Sequence, residues 1–485
     1  MFKTNPTLGF FCFLAAASGW AGERWTGPWN VPVLQEPPAF EAAGVQNGAL
    51  NLYFANEPFR GQPTRVFARY AIPANASAAA PVPALVLLHD AGEAASSEWA
   101  VYWAQRGYAA LAIDLFGNGP AGHLEDGGPA SNFSPQPDPE TDWILSITNA
   151  PLTDMWTYHA VAAAVRGVSL LASFPEVDPA RIGVHGIGVG GYLACIVSGL
   201  DDRLAAVAPV YGCGLVQENS AWKTDFTALP CTDSRLWVEN FDPARYLPQA
   251  TCPISFVTGT NDPDFPLDAF QHSWDVIRAP KHLAVLPGLV HGPIWQITGA
   301  ENAANIFLDQ VLTAAPALPT VEVLSRTDRQ VHARYDSSSA LRYAYLAYTF
   351  DTGPWQNRVW DDVPVTVNAD RTIEAEIPEG PTVTWFLYLA DERYAWASSP
   401  VETYFLPDSP PYVVLRGLAR PVGGPWQISG QKPADSAIMI EATSNFCDWS
   451  PVAEDRTAGN AFTVDLPDSL FGGAAISFRA RRLDF

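Results

Sequence analysis

The stretch Arg181-Ile-Gly-Val-His-Gly-Ile-Gly-Val-Gly-Gly-Tyr192 constrains this chain more than any other. It reads as a buried strand from Ile182 to His185, a tight glycine-rich turn, and a helix starting near Val189. A G-x-S-x-G sequence forms such a turn and presents a Ser where strand gives way to helix. The frame here is Gly186-Ile187-Gly188-Val189-Gly190, and Gly188 stands at the Ser position. The turn is kept and its attacking atom is not.

The flanks of this stretch set the fold class. Ala84-Leu-Val-Leu-Leu-His89 and Tyr108-Ala-Ala-Leu-Ala-Ile-Asp114 are continuous apolar runs, as expected of strands buried on both faces. Ser97 to Gln105 and Met155 to Ala172 have helical spacing. After the elbow come a helix (Val189 to Gly199), a strand (Ala205 to Tyr211), a long insertion, a strand (Ile254 to Thr258), a helix (Leu267 to Ile277), a strand (His282 to Leu286) and a helix (Ala300 to Thr313). This alternation predicts an α/β fold, a mostly parallel sheet with helices on both faces. Thr64 to Ala71 alternates like an edge strand. Gly117 to Asp154 is a loop long enough to be functional or mobile.

Beyond the Pro/Ala linker Ala314 to Pro319 the helical period disappears, and seven short strands are expected between Val321 and Val401. A second linker, Leu406 to Pro411, precedes a last β-rich stretch. The expected domains are a signal peptide (1–21), an α/β domain (22–315), an immunoglobulin- or fibronectin-like β-sandwich (316–407) and a C-terminal β module (408–485). Lys3, the apolar run Phe10 to Ala17 and the exit Gly19-Trp20-Ala21 have the three-part pattern of an export signal, so a secreted or periplasmic protein is expected. No later run has the roughly 18 apolar residues of a membrane helix. With 28 Lys and Arg against 51 Asp and Glu, a net charge of −23 argues against nucleic acid or anionic membrane as partner. Cys12 leaves with the signal. Cys195, Cys213, Cys231, Cys252 and Cys447 remain, an odd set in which Cys213 and Cys231 share a loop and are candidates to pair. No zinc spacing is present, and neither metal nor cofactor is expected.

Catalytic groups in such a sheet stand at the C-terminal strand ends, in the order Ser, Asp or Glu, His. Strand Ile254 to Thr258 runs into Gly259-Thr-Asn-Asp262-Pro-Asp264, and the next strand into Pro287-Gly-Leu-Val-His291. Asp262, with Asp264 as competitor, and His291 therefore take the second and third places behind Gly188. A carboxylate there can orient an imidazole and stabilise its charged form.

Several motifs together resemble one family. They are Gln62-Pro-Thr-Arg-Val-Phe-Ala, Arg106-Gly-Tyr-Ala-Ala, Trp156-Thr-Tyr-His-Ala, Phe174-Pro-Glu-Val-Asp, Gly190-Gly-Tyr-Leu-Ala-Cys195, Pro209-Val-Tyr-Gly-Cys-Gly214, Gly259-Thr-Asn-Asp262 and His291-Gly. Over residues 40 to 400 the chain resembles secreted bacterial α/β-hydrolases of the acetyl xylan esterase and dienelactone hydrolase group. The resemblance implies hydrolysis of acyl esters, with an acetylated plant polysaccharide as substrate. It places the nucleophile at position 188, Asp262 and His291 as its partners, and an oxyanion hole at Val189 and at the loop Asp90-Ala91.

Two departures point to lost chemistry. The nucleophile is Gly188, and the family's His-Gly-Gly run is His89-Asp90-Ala91-Gly92, whose carboxylate would repel an oxyanion if it faced the site. Gly accepts the strained elbow backbone without a Cβ penalty. Of the residues that could replace the nucleophile, Ser198 should lie too far along the following helix, Ser96 and Ser97 could approach but nothing marks them, and Cys213 is the best placed by position, although a structural role is expected of it. The remaining route is a water activated by Asp262 and His291. The chain reads as an esterase-like protein that has lost its nucleophile and binds a polysaccharide or acylated sugar, with a water-using or relocated-nucleophile hydrolase as the alternative. Trp355, Trp360, Trp426 and Trp449 are candidates to stack on sugars. Asp114 is expected to cap a loop, and His159 to sit at a core edge.

Overall fold

The structure is a computed structural model and describes residues 12–14, 24–134, 139–292, 300–327, 329–380, 382–405, 414–419, 424–432, 437–443, 450–459, 461–471 and 476–482. Apart from Cys12–Leu14, a short strand paired with Ile476–Phe478, the expected signal peptide lies outside the described residues. No helix among the described residues is long and apolar enough to cross a membrane. Two compact units are present, one of residues 24–377 and 385–401, the other of 1–23, 378–384 and 402–485.

The larger unit is built on a nine-stranded sheet. Its strands are Phe40–Gln46 (β1), Ala49–Phe59 (β2), Gln62–Ala71 (β3), Val82–Leu88 (β4), Ala109–Ile113 (β5), Val177–Ile187 (β6), Ala206–Val210 (β7), Ile254–Gly259 (β8) and Lys281–Leu286 (β9). The spatial order is β9-β8-β7-β6-β4-β5-β3-β2-β1. The strands from β9 to β5 pair in parallel, and β3, β2 and β1 add on antiparallel. This is the α/β-hydrolase order, reversing at β4, where loops from adjacent strands diverge and leave a crevice.

Gln62–Ala71 is therefore not an edge strand. Two strands precede it that the sequence pattern conceals. All seven residues of β1 are exposed, and β2 lacks strict alternation, so neither carries a period-2 signal.

The helices Ser97–Gln105 (α1), Trp156–Ser173 (α2), Val189–Leu200 (α3), Leu267–Asp275 (α4) and Ala300–Thr313 (α5) pack on this sheet. Ser96 caps α1 by accepting from the Trp99 N–H at 3.1 Å. Every residue of α3 is buried, and none is charged, so the helix behind the elbow is fully enclosed. The long loop before α2 is anchored by Trp143, which is fully buried among Phe133, Trp156, Tyr192, Trp222 and Trp237. Its carbonyl accepts from the Trp237 indole at 2.7 Å.

Beyond residue 319 the chain forms β-rich sheets. One runs through Thr320–Thr327, Gln330–Asp336, Thr372–Glu376 and Thr366–Val367; a second through Asp361–Pro364, Leu341–Thr349, Thr382–Asp391 and Trp396–Ser398. In the smaller unit two sheets share one apolar core of Ile428, Phe462 and Leu466 from one and Ile438, Ile440 and Phe478 from the other. Trp426 packs against that core. Trp355 lies under the Arg358 guanidinium at 3.6 Å and Trp360 against Phe386 at 5.4 Å, whereas Trp449 lies outside the described residues.

Candidate functional site

Parallel pairing sets β4 and β6 in register, Leu88 beside Gly186, so the loop after β4 and the turn after β6 emerge side by side. The turn is tight. A Cβ on Gly186 would overlap the Gly190 carbonyl, and one on Gly190 would overlap the Leu88 carbonyl. Gly188 has φ 54° and ψ −117° and begins α3, its carbonyl accepting from Tyr192 N–H at 3.0 Å. The elbow backbone is thus retained with a residue that adopts it unstrained.

The space a side chain at 188 would enter is filled by Asp90. A Cβ built there would overlap Asp90 Oδ1 and Cγ and lie 2.5 Å from Oδ2. The carboxylate also takes both expected oxyanion donors: Val189 N–H at 2.9 Å and Ala91 N–H at 2.7 Å point at Oδ1. Asp90 was expected beside these donors as part of an oxyanion hole; its carboxylate instead accepts from both of them. Its own N–H is turned to Glu93 at 3.4 Å.

His89 fixes this direction. Its Nε2 accepts from Leu115 N–H at 3.1 Å, which leaves the proton on Nδ1 to donate to the Asp90 carbonyl at 2.8 Å. Asp114 caps the neighbouring loop through Phe116 and Asn118 N–H, as expected of it.

Asp262 and His291 come together at the ends of β8 and β9. Asp262 is buried and receives the Asp264 and Phe265 N–H groups at 2.8 and 2.9 Å. Its carboxylate meets His291 Nδ1 at 3.0 and 3.1 Å. Asn261 beside it donates to the carbonyls of Gln356 and Arg358, tying the turn to the following β region. Asp264, the competing carboxylate, is 3.9 Å from Nδ1 and far more exposed.

The other imidazole nitrogen does not face an open position. His291 Nε2 lies 2.8 Å from Asp90 Oδ2, so the ring bridges two carboxylates. Burial alone would lower its pKa, but the hydrogen bonds and charges of Asp262 and Asp90 outweigh that and raise it to about 10. Tyr211 stacks on the ring at 4.5 Å and Phe265 lies beyond it at 6.2 Å. The left-handed backbone of Tyr211, φ 63°, is local strain of the kind found at functional sites. At neutral pH the group at the centre is an imidazolium, and it lacks the free lone pair a general base needs.

The candidate replacement nucleophiles are elsewhere engaged. Ser96 is the α1 cap, Ser97 is buried, and Ser198 donates to the Cys195 carbonyl. Cys213 is a free, buried thiol whose pKa burial pushes well up, so it is neither a thiolate nor paired with Cys231. Cys231 is disulfide-bonded, though not to Cys213, which corrects the expected pairing. His159 is buried and neutral, its pKa lowered to about 4 chiefly by burial. Among the described residues no group of three His, Cys, Asp or Glu is placed to hold a metal.

The structure brings Asp90, Asp262 and His291 together beside Gly188 and Val189; the contact of Asp90 with His291 and the parts of His89 and Tyr211 were not read from the sequence. The available signal was compensation: a side chain lost at 188 and a longer one gained at 90.

Residues 36–245 match the acetyl xylan esterase (AXE1) family, and residues 232–352 match the PhoPQ-activated pathogenicity-related protein family. The acetyl esterase Axe7A of Xylanibacter ruminicola is 26% identical over 137 residues, 27% of this chain and 31% of that protein. The chain thus spans about a third of the length of this curated relative. The acetyl xylan esterase from Paenibacillus sp. R4 is 20% identical with a TM-score of 0.49, over 58% of this chain and 92% of that one. Acetyl xylan esterase 1 from Thermoanaerobacterium sp. is 18% identical with a TM-score of 0.47, over 59% and 96%.

Proposed function

We propose that this chain, whose α/β part is an esterase-like hydrolase of the acetyl xylan esterase family, no longer performs Ser-dependent deacetylation and engages a polysaccharide or acylated sugar by binding. The observation that carries this reading is the position of Asp90. Its carboxylate stands where the Ser side chain would stand and takes the N–H groups that would receive an ester's oxyanion. An acyl ester then meets a negative charge where it needs a positive field. Loss of a Ser nucleophile alone costs on the order of a millionfold in turnover. The ligand class follows the relatives, named for acetyl esters and xylan. The N-terminal export pattern suits a protein that meets such material outside the cell.

The experiment is hydrolysis of aryl acetates and acetylated xylan by the mature chain, with His291→Ala as control. No turnover above background is expected. Turnover that His291→Ala abolishes would overturn the reading.

A second reading, an active hydrolase with a relocated nucleophile, is favoured by the same residue. Asp90 brings a potential nucleophile to the vacated position and within hydrogen-bond reach of His291. A water activated by His291 gains no such support, because carboxylates occupy both ring nitrogens.

A further inference from the structure

Resting on that second reading, we infer that Asp90 is a nucleophile toward an epoxide, with His291 as the acid that opens the ring. The two oxygens of Asp90 are inequivalent. Oδ1 is held by two backbone N–H groups, Val189 and Ala91, while Oδ2 is presented to His291 Nε2 at 2.8 Å. Asp90, His291 and Asp262 thus form a carboxylate–imidazole–carboxylate line in which one end is a nucleophile and the other an orienting group. The line is not sealed: the Asp90 and His291 side chains are 17% and 10% exposed.

The chemistry of a carboxylate selects the substrate. Attack on an acyl ester would form an anhydride, which reverts because a carboxylate leaves more readily than an alkoxide. Attack on a saturated carbon forms an alkyl ester that persists until hydrolysed. A halide would leave without needing a proton, and the imidazolium would stay protonated and unable to activate water afterwards. A strained cyclic ether removes that obstacle, since its departing oxygen takes the proton. The hydrogen bonds and charges of Asp262 and Asp90 hold that proton on His291 in the resting site, against the opposing effect of burial.

Both steps balance. An Oδ2 lone pair forms a bond to the epoxide carbon, the ring C–O bond breaks toward its oxygen, and that oxygen takes the Nε2 proton. Asp90 is now a neutral ester and His291 a neutral base still held by Asp262. Water attacks Asp90 Cγ and gives its proton to Nε2, and the charge formed on Oδ1 falls on the Val189 and Ala91 N–H groups. The intermediate expels the second diol oxygen, which takes the Nε2 proton. The Asp90 carboxyl proton then passes to His291, restoring the starting pair. The net reaction is epoxide plus water to vicinal diol. Tyr211 and Phe265, the latter against Trp222 at 5.3 Å, give the surroundings an aromatic character suited to an aryl epoxide.

The test is turnover of styrene oxide by the full chain in H₂¹⁸O, with mass analysis of the peptide bearing Asp90. Diol formation with ¹⁸O entering the Asp90 carboxylate is expected, together with a loss of about a thousandfold or more in Asp90→Asn. In His291→Gln the acid that opens the ring is lost together with the base that activates water, so neither diol nor a styrene oxide adduct on Asp90 is expected. No diol from the wild-type chain, or diol without ¹⁸O in that peptide, overturns the proposal, and neither result depends on a variant folding. Aryl acetate hydrolysis is read separately, so failure of the deacetylation reading is distinguishable from failure of this one.

Discussion

Gly188→Ser restores the expected nucleophile, yet on its own it should give an unstable, inactive protein. The new Cβ must enter the volume held by Asp90 Oδ1 and Cγ and adopt φ near 54°. The backbone strain alone costs about 1–3 kcal/mol. Asp90 must also leave, forfeiting charge-assisted hydrogen bonds to Val189, Ala91 and His291 that are each worth about 1.5–3 kcal/mol before the carboxylate regains water. A net cost of roughly 3–6 kcal/mol follows, a large share of the stability of an ordinary domain, about 5–15 kcal/mol. Asp90→Gly removes the overlap, clears the oxyanion donors and leaves Nε2 facing the new hydroxyl. The double variant should therefore be more stable than the two single costs predict, by about 2 kcal/mol or more, and should hydrolyse aryl acetates. The assay is urea unfolding of wild type, both single variants and the double, alongside aryl acetate turnover. Additive stabilities, or turnover by Gly188→Ser equal to that of the double, would refute the steric argument.

Three further outcomes follow from the same structure. The folded pKa of His291, near 10, lies above its unfolded value of about 6.5, so its stabilisation is complete below pH 6.5 and is lost as pH rises through 10. The stability gap between wild type and His291→Gln should accordingly narrow by up to about 5 kcal/mol over that range in urea titrations, and a constant gap would rule out the imidazolium. Trp143→Ala should cost about 3–5 kcal/mol in the same unfolding experiment, because it empties the centre of an aromatic cluster. Lys432, fully buried in the smaller unit and paired with Asp455, should when changed to Met cost about 3–5 kcal/mol, and Lys432→Met/Asp455→Leu should regain most of it, read by thermal unfolding.

The sequence by itself determined what depends on local period and spacing. Continuous apolar runs gave β4 and β5, a strand–glycine–helix pattern gave the elbow with α3 beginning at Val189, and chain order brought Asp262 and His291 into consideration together. The strands and the elbow are each encoded within about a dozen residues, so one window suffices to read them, while Asp262 and His291 needed only their order along the chain. Strands β1 and β2 escaped because an exposed strand and one without strict alternation have no such period. The Cys213 and Cys231 pairing failed for a related reason: nearness along a loop says nothing about the direction in which two side chains point. Only the tertiary structure decided what the vacancy at 188 means. Asp90 and Gly188 are 98 residues apart, and they meet because parallel pairing aligns the ends of β4 and β6 while His89 turns the loop toward the elbow. A removed side chain leaves a volume, and which residue fills it is settled by packing between strands, a relation that no single stretch of the chain contains.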